Sequence, residues 1–247
     1  MRIGILRTDT VRPELVEEFG EYPDMFRQLL SDVDPDLHFR VYDVESGEYP
    51  EDIDEVDAFL MTGSKSSVYE DKEWIHRLSE FVRELHERRK TLVGICFGHQ
   101  MVAHALGGRT EKSEKGWGVG AHEALFHRLP EWHDGEDPEF VLLVSHQDQV
   151  VETAPGTEVL AGSDFCENAV CQVGDHILTL QGHPEFVKGY SHNLLNIRRE
   201  MIGEDNYHSG MDSLQRDLDR ERVADWIVSF LRGAGPSTST TAGEDAG

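Results

Sequence analysis

A chain of 247 residues, 38% hydrophobic and 9% aromatic, has enough apolar material for a substantial core and is too apolar for a disordered one. Its 48 acidic and 23 basic residues leave a net charge of −25, which argues against a nucleic-acid partner, since phosphate contacts need a basic surface. No apolar run approaches the roughly 18–20 residues of a membrane span, and the first residues lack the core of a signal peptide, so the sequence predicts a soluble, cytoplasmic protein without a membrane partner.

In chain order, RIGILR opens as a buried strand, YPDMFRQLLSDV carries apolar residues at helical spacing, HFRVYDV alternates like a strand, and DAFLMTG is an apolar run ending on glycine. In the helical stretch that follows, Trp74, Ile75, Leu78, Phe81, Val82 and Leu85 recur at three- and four-residue intervals. TLVGI then reads as a strand and GHQMVAHALGG as a helix closed by a glycine pair. Strands alternating with helices predict an α/β three-layer domain: a mostly parallel central sheet with helices on both faces.

From about 118 to 182 the runs VGAHEALF, FVLLVSH, TEVLAGS, NAVCQV and HILTLQG sit between turn signals, a β-rich section that partly completes the main sheet. Helices return in FVKGYSHNLLNIRREMIG and VADWIVSFLR. One domain is expected over residues 1–232, followed by a polar, low-complexity tail over 233–247 that reads as disordered. Trp74 and Trp226 read as core residues.

The acidic charge is spread along the chain, and lysine is confined to Lys65, Lys72, Lys90, Lys112, Lys115 and Lys188. Adaptation to a high-salt cytoplasm explains this best, because salt screens the self-repulsion of such a surface; an ordinary acidic enzyme and a basic partner are the alternatives. Three cysteines, Cys96, Cys166 and Cys171, without CxxC spacing fit neither a disulfide framework nor a zinc site, and Cys166 and Cys171 read as ordinary thiols. No metal or cofactor is expected, and no GxxxxGK[ST] phosphate loop is present.

The stretch LVGICFGHQ puts Cys96 between Gly94 and Gly98, where a strand turns sharply into a helix. That context suits a nucleophile elbow: small neighbours relieve a strained backbone, and the start of the next helix offers its dipole and unbonded N–H groups to a thiolate and an oxyanion. A buried structural cysteine at a tight junction is the plainer alternative. A thiol nucleophile needs an oriented base. His99 and His104 lie on the helix itself and should point away from the attack side. His183, in LTLQGHPEF, follows a strand at the edge where parallel sheets present catalytic groups, and Glu185 two residues on can hold its tautomer.

GICFGHQ and, 87 residues later, QGHPEF together resemble the class I, triad-type glutamine amidotransferases, whose signatures are G-x-C-x-G-x-Q and a late H-P-E. LMTGSKSSVYED resembles the family's glycine loop and VSHQDQV its S-H-x-D-x-V segment, and the match runs over about residues 1–205. The resemblance implies a flavodoxin-like amidotransferase fold and hydrolysis of the γ-amide of glutamine. Cys96 would form a γ-glutamyl thioester, His183 would transfer protons and Glu185 would orient it. It also implies an oxyanion hole from the backbone of Gly63 or Ser64 and of Phe97, and a role for Gln100 in holding the substrate. Ser145 and His146, beside Asp148, are further candidates, although the segment could simply be a strand end with a polar turn.

Three activities fit. The first is a glutaminase subunit similar to that of GMP synthase, passing ammonia to a separate synthetase chain. The second is a stand-alone hydrolase similar to the γ-glutamyl peptidases, to which TGSKSSVYED…WI looks closer. The third is a regulatory or binding module with an idle triad.

Overall fold

The computed structural model describes residues 1–233; the segment from 234 onward, most of the expected tail, lies outside the described residues. The elements are β1 (Arg2–Arg7), α1 (Pro13–Phe19), α2 (Tyr22–Val33), β2 (His38–Asp43), β3 (Ala58–Met61), α3 (Glu73–Glu87), β4 (Thr91–Ile95) and α4 (Phe97–Ala105), then β5 (Arg109–Lys112), β6 (Gly118–Phe126), β7 (Glu139–His146), β8 (Asp148–Glu152), β9 (Thr157–Gly162), β10 (Val170–Val173) and β11 (Ile177–Leu180), and finally α5 (Lys188–Ile202), α6 (Glu204–Ser213) and α7 (Arg220–Arg232).

Nine strands form one sheet in the order β2-β1-β3-β4-β11-β10-β9-β6-β7, and β5 pairs with β8 apart from it. The strands β2, β1, β3, β4 and β11 run parallel, and the rest continue antiparallel. The parallel part has the 2-1-3-4-5 order of a flavodoxin-like sheet, with β11 as the fifth strand. The β-rich section therefore extends the main sheet instead of forming a separate domain.

Side chains alternate across the strands because their period is two. Ile3, Ile5, Leu60, Val93 and Ile95 pack on one face with Phe26 and Leu30 of α2 and Trp226 and Ile227 of α7. Leu6, Phe59, Met61 and Leu92 face the other way, under Ile75, Leu78 and Val82 of α3 and Met101 of α4. The stripe read from the sequence of α3 is its buried face. A third cluster seats Tyr190, Leu194 and Leu195 of α5 on Val119 and Leu143 of the antiparallel part. Trp226 is a core residue, and partly buried Trp74 packs its ring 5.6 Å from that of Phe97.

Register brings three chain segments out of the sheet side by side. Met61 of β3 is opposite Gly94 of β4, and Ile95 of β4 is opposite Leu180 of β11. Residues 62–64, Cys96 and residues 181–185 therefore emerge together at the carboxyl ends of neighbouring strands.

Candidate active site

Cys96 is the N-cap of α4 and has φ +52° and ψ −98°. A non-glycine residue in that left-handed region is strained, at a cost of about 1–3 kcal/mol. Its surroundings enforce the turn. The Cys96 N–H donates to the Leu180 carbonyl at 2.8 Å, and its own carbonyl accepts from the Gln100 N–H at 3.0 Å. The flanking glycines are sterically required: a side chain at Gly94 would start 2.7 Å from the Gly98 carbonyl oxygen, and one at Gly98 would start 2.8 Å from that of Met61.

His183 lies beside Cys96, both facing the same point of the glycine loop: a Cβ built on Gly63 would lie 2.8 Å from His183 Cε1 and 3.6 Å from Cys96 Cβ. Its Nδ1 donates to Glu185 Oε1 at 2.7 Å, and its ring stacks on Phe186 with centroids 3.9 Å apart and planes 6° from parallel. The backbone is fixed as well, the His183 N–H donating to the Leu143 carbonyl at 2.8 Å. Burial works against a charged ring here. The Glu185 carboxylate and the Cys96 sulfur oppose it, and on balance the His183 pKa is raised well above that of an ordinary histidine. His99 and His146 differ: burial pushes them down to about 4 and about 3, so both are neutral. Among these three buried imidazoles, His183 is the one set apart by its charged partners, a pattern characteristic of acid–base groups. His99 Nδ1 is spent 2.8 Å from Thr179 Oγ1, and His104 is exposed on the far side of α4.

At position 63, with His183 Cε1 so near, glycine alone leaves room for the imidazole. Phe97 opens α4, where the first N–H groups have no carbonyl within the helix. Thr8 and Asp9, which follow β1, brace the glycine loop. Thr8 Oγ1 donates to the Gly63 carbonyl at 2.8 Å, while buried Asp9 accepts from the Lys65 N–H at 2.8 Å and from Lys65 Nζ at 2.7 Å. Sequence reasoning missed both residues; the signal was polar TDT directly after a buried strand, at the functional edge of the sheet.

The other candidates do different things. Gln100 Nε2 is already engaged, donating to the Asp148 carbonyl at 2.8 Å and to Gln181 Oε1 at 3.1 Å. His146 is buried and its Nδ1 donates to the Asp148 carbonyl at 3.1 Å. Ser145 Oγ accepts from Arg198 at 2.7 Å, and Ser64 Oγ accepts from the Ser66 N–H at 3.1 Å. Cys166 and Cys171 are buried free thiols pushed up to about 12 by burial, and thus unreactive. Among the described residues, no group of three or more His, Cys, Asp and Glu side chains is placed to hold a metal ion, and no helix is long and apolar enough to cross a membrane.

A cavity of about 380 Å³ opens above Cys96. The glycine-loop residues 64–67 form one wall, Lys112 and Trp117 another, and Arg198 with Met201 of α5 a third. Arg12, Lys65, Lys112 and Arg198 line it together with one carboxylate, Asp148, reversing the acidic balance of the whole chain. The arrangement can bind an anionic or zwitterionic compound and present its carbonyl carbon to the sulfur.

The chain is similar to known proteins along most of its length. The profile of the family described as glutamine amidotransferase class-I matches residues 24–198. A glutamine amidotransferase-like protein of Schizosaccharomyces pombe is 31% identical over 245 residues, 93% of this chain and 98% of that one. Gamma-glutamyl peptidase 4 of Arabidopsis thaliana is 32% identical over 176 residues, 68% of this chain and 69% of that one. The crystal structure of a glutamine amidotransferase from Thermotoga maritima superposes with a TM-score of 0.73 at 17% identity, covering 93% of this chain and 97% of that one, a likeness of fold.

Proposed function

Because the chain belongs to the class-I glutamine amidotransferases and is a hydrolytic enzyme of the glutaminase type, we propose that it cleaves γ-glutamyl amide bonds by way of a thioester on Cys96, and that its substrates are γ-glutamyl peptides or conjugates. The observation that carries the choice is the cavity of about 380 Å³ beyond the sulfur, which leaves room for a leaving group much larger than ammonia. The similarity to a γ-glutamyl peptidase supports the same reading.

The Cys96 thiolate, paired with a His183 ring that its charged partners keep protonated, attacks the γ-carbonyl carbon, while Glu185, bonded to Nδ1, holds the ring in place. The carbonyl oxygen becomes an oxyanion facing the N–H groups of Gly63 and Phe97, with Ser64 beside them. The intermediate collapses as His183 passes its proton to the departing amine nitrogen, leaving the γ-glutamyl thioester. Water then gives a proton to His183 and attacks the thioester. Its collapse expels the Cys96 thiolate and releases glutamate, and the proton taken from water stays on His183, ready for the next turnover. Gln100 ties α4 to the Asp148 segment, and Ser145 holds Arg198 on the cavity wall.

The test is amine release from a γ-glutamyl dipeptide and from L-glutamine in molar KCl, with wild type and Cys96→Ala side by side. Dipeptide turnover exceeding that of glutamine, and lost in Cys96→Ala, is the expected result. A clear preference for glutamine moves the assignment to ammonia supply for a separate synthetase. Undiminished activity in Cys96→Ala refutes the nucleophile.

A further inference from the structure

Most lysines and arginines of this acidic chain are held within 4.0 Å of a carboxylate. Among the described residues Arg2, Arg83, Lys112, Lys188 and Arg198 have no such partner, and of these Lys112 and Arg198 line the cavity above Cys96. The other cations lining it are paired: Lys65 with buried Asp9 at 2.7 Å, and Arg12 more loosely with Glu14 at 3.9 Å. Lys112 is unpaired although Asp148 sits opposite it in the β5–β8 register, because the Asp148 carboxylate accepts from Tyr69 Oη at 3.1 Å and makes no ion pair with the ammonium.

The charges can be matched to a substrate. A γ-glutamyl group brings one ammonium and one α-carboxylate. Asp148 is the carboxylate lining the cavity and suits the ammonium. Arg198 is half-buried and anchored through Ser145, a fixed fork suited to the α-carboxylate that every γ-glutamyl compound carries. That leaves one unpaired cation, Lys112, exposed at the rim at the end of β5, with no glutamyl charge to meet it.

Resting on the hydrolase reading above, we propose that Lys112 is a specificity residue that selects substrates whose leaving amine carries a carboxylate, as the amino group of an amino acid or peptide does. The site then takes an acidic leaving group at the rim and disfavours neutral and cationic amines.

The test compares γ-glutamylglycine with γ-glutamylglycinamide, which differ in that one carboxylate. Assays run at the lowest KCl concentration at which circular dichroism shows the fold intact, because salt screens an exposed charge. Wild type is expected to favour the free acid about two- to fivefold in kcat/KM, the range of an exposed ion pair. Lys112→Gln brings the ratio close to one and Lys112→Glu inverts it, both variants being surface changes that the fold tolerates. Arg198→Gln lowers kcat/KM on both compounds by a similar factor, and Arg198→Lys recovers part of it. A wild-type ratio near one, or a Lys112→Gln variant that loses the same factor on both compounds, overturns the assignment while the hydrolase reading stands. Turnover of neither compound, nor of glutamine, by folded protein overturns both.

Discussion

Replacing Gly63 by alanine tests the geometry of the site without touching any group that moves a proton. The new methyl would lie 2.8 Å from His183 Cε1, against an ordinary carbon–carbon contact of about 3.5–4.0 Å, so ring and loop must separate by about 0.7 Å or more. The ring has little freedom to yield. One face rests on Phe186 at a centroid distance of 3.9 Å, and Nδ1 is held by Glu185 at 2.7 Å. Gly63 has an ordinary negative φ, so alanine brings no backbone strain and the whole effect is collision. Overpacking of this kind costs roughly 1–3 kcal/mol of stability. A displacement near 1 Å between reacting groups costs about 10²-fold in rate, and a shifted Gly63 N–H adds to that. Steady-state kinetics on a γ-glutamyl dipeptide, paired with thermal unfolding, should show a folded protein slowed by about 10² or more. Activity within threefold of wild type would refute the placement of His183 against the glycine loop.

Glu185→Gln removes a negative charge that raises the His183 pKa, so the basic limb of the kcat/KM–pH profile should move to lower pH, with kcat reduced about 10²–10⁴-fold; an unmoved limb would argue against the pairing. A net charge of −25 predicts an unfolding temperature that climbs between 0.1 and 2 M KCl, as the screening length falls from about 10 Å to below 3 Å, and a flat response would remove the case for adaptation to salt. Asp134 accepts from Arg222 at 2.7 and 3.1 Å and from Trp226 Nε1 at 3.1 Å, and the Arg222 bonds hold its carboxyl well below the usual range. That stability is present above the ordinary aspartate pKa of about 3.9 and is lost as pH falls through the lower folded value, so Asp134→Asn should cost about 1 kcal/mol near neutrality, allowing for solvent exposure, and much less in strong acid. Denaturant melts at pH 7 and in acid check it.

The features legible in the sequence are those whose cause is local. The elbow could be read because the clashes that force glycine at 94 and 98 arise from residues four and five positions away or from the adjacent strand. The strands of the main sheet and the long helices were legible because their apolar periods match their buried faces, as in α3, whereas the short β5 and β8, which pair apart from that sheet, were not. Glu185 was legible because it needs only two residues of chain to reach His183. The helices α1 and α6 were not anticipated: the first is seven residues long, and in the second only Gly210 is buried, so neither displays a stripe. The cavity wall was equally hidden. Arg12, Lys112 and Arg198 come from three distant segments, and only the tertiary fold sets them around one sulfur. His146 shows the reverse case, a polar residue in a suggestive motif whose Nδ1 the fold commits to a neighbouring carbonyl.

Cys96 and His183 follow β4 and β11, which are neighbours in the sheet although the chain between them travels out to its far edge and back. Their separation is therefore governed by the width of a strand, about 4.8 Å, and is indifferent to how much polypeptide intervenes. Lengthening an outlying connection such as residues 127–138 changes the edge and leaves that spacing alone. The fold thus separates two tasks: the spacing of neighbouring parallel strands sets the distance between Cys96 and His183, and the excursion between them carries Lys112 and Trp117 to the rim of the cavity without bearing on that distance.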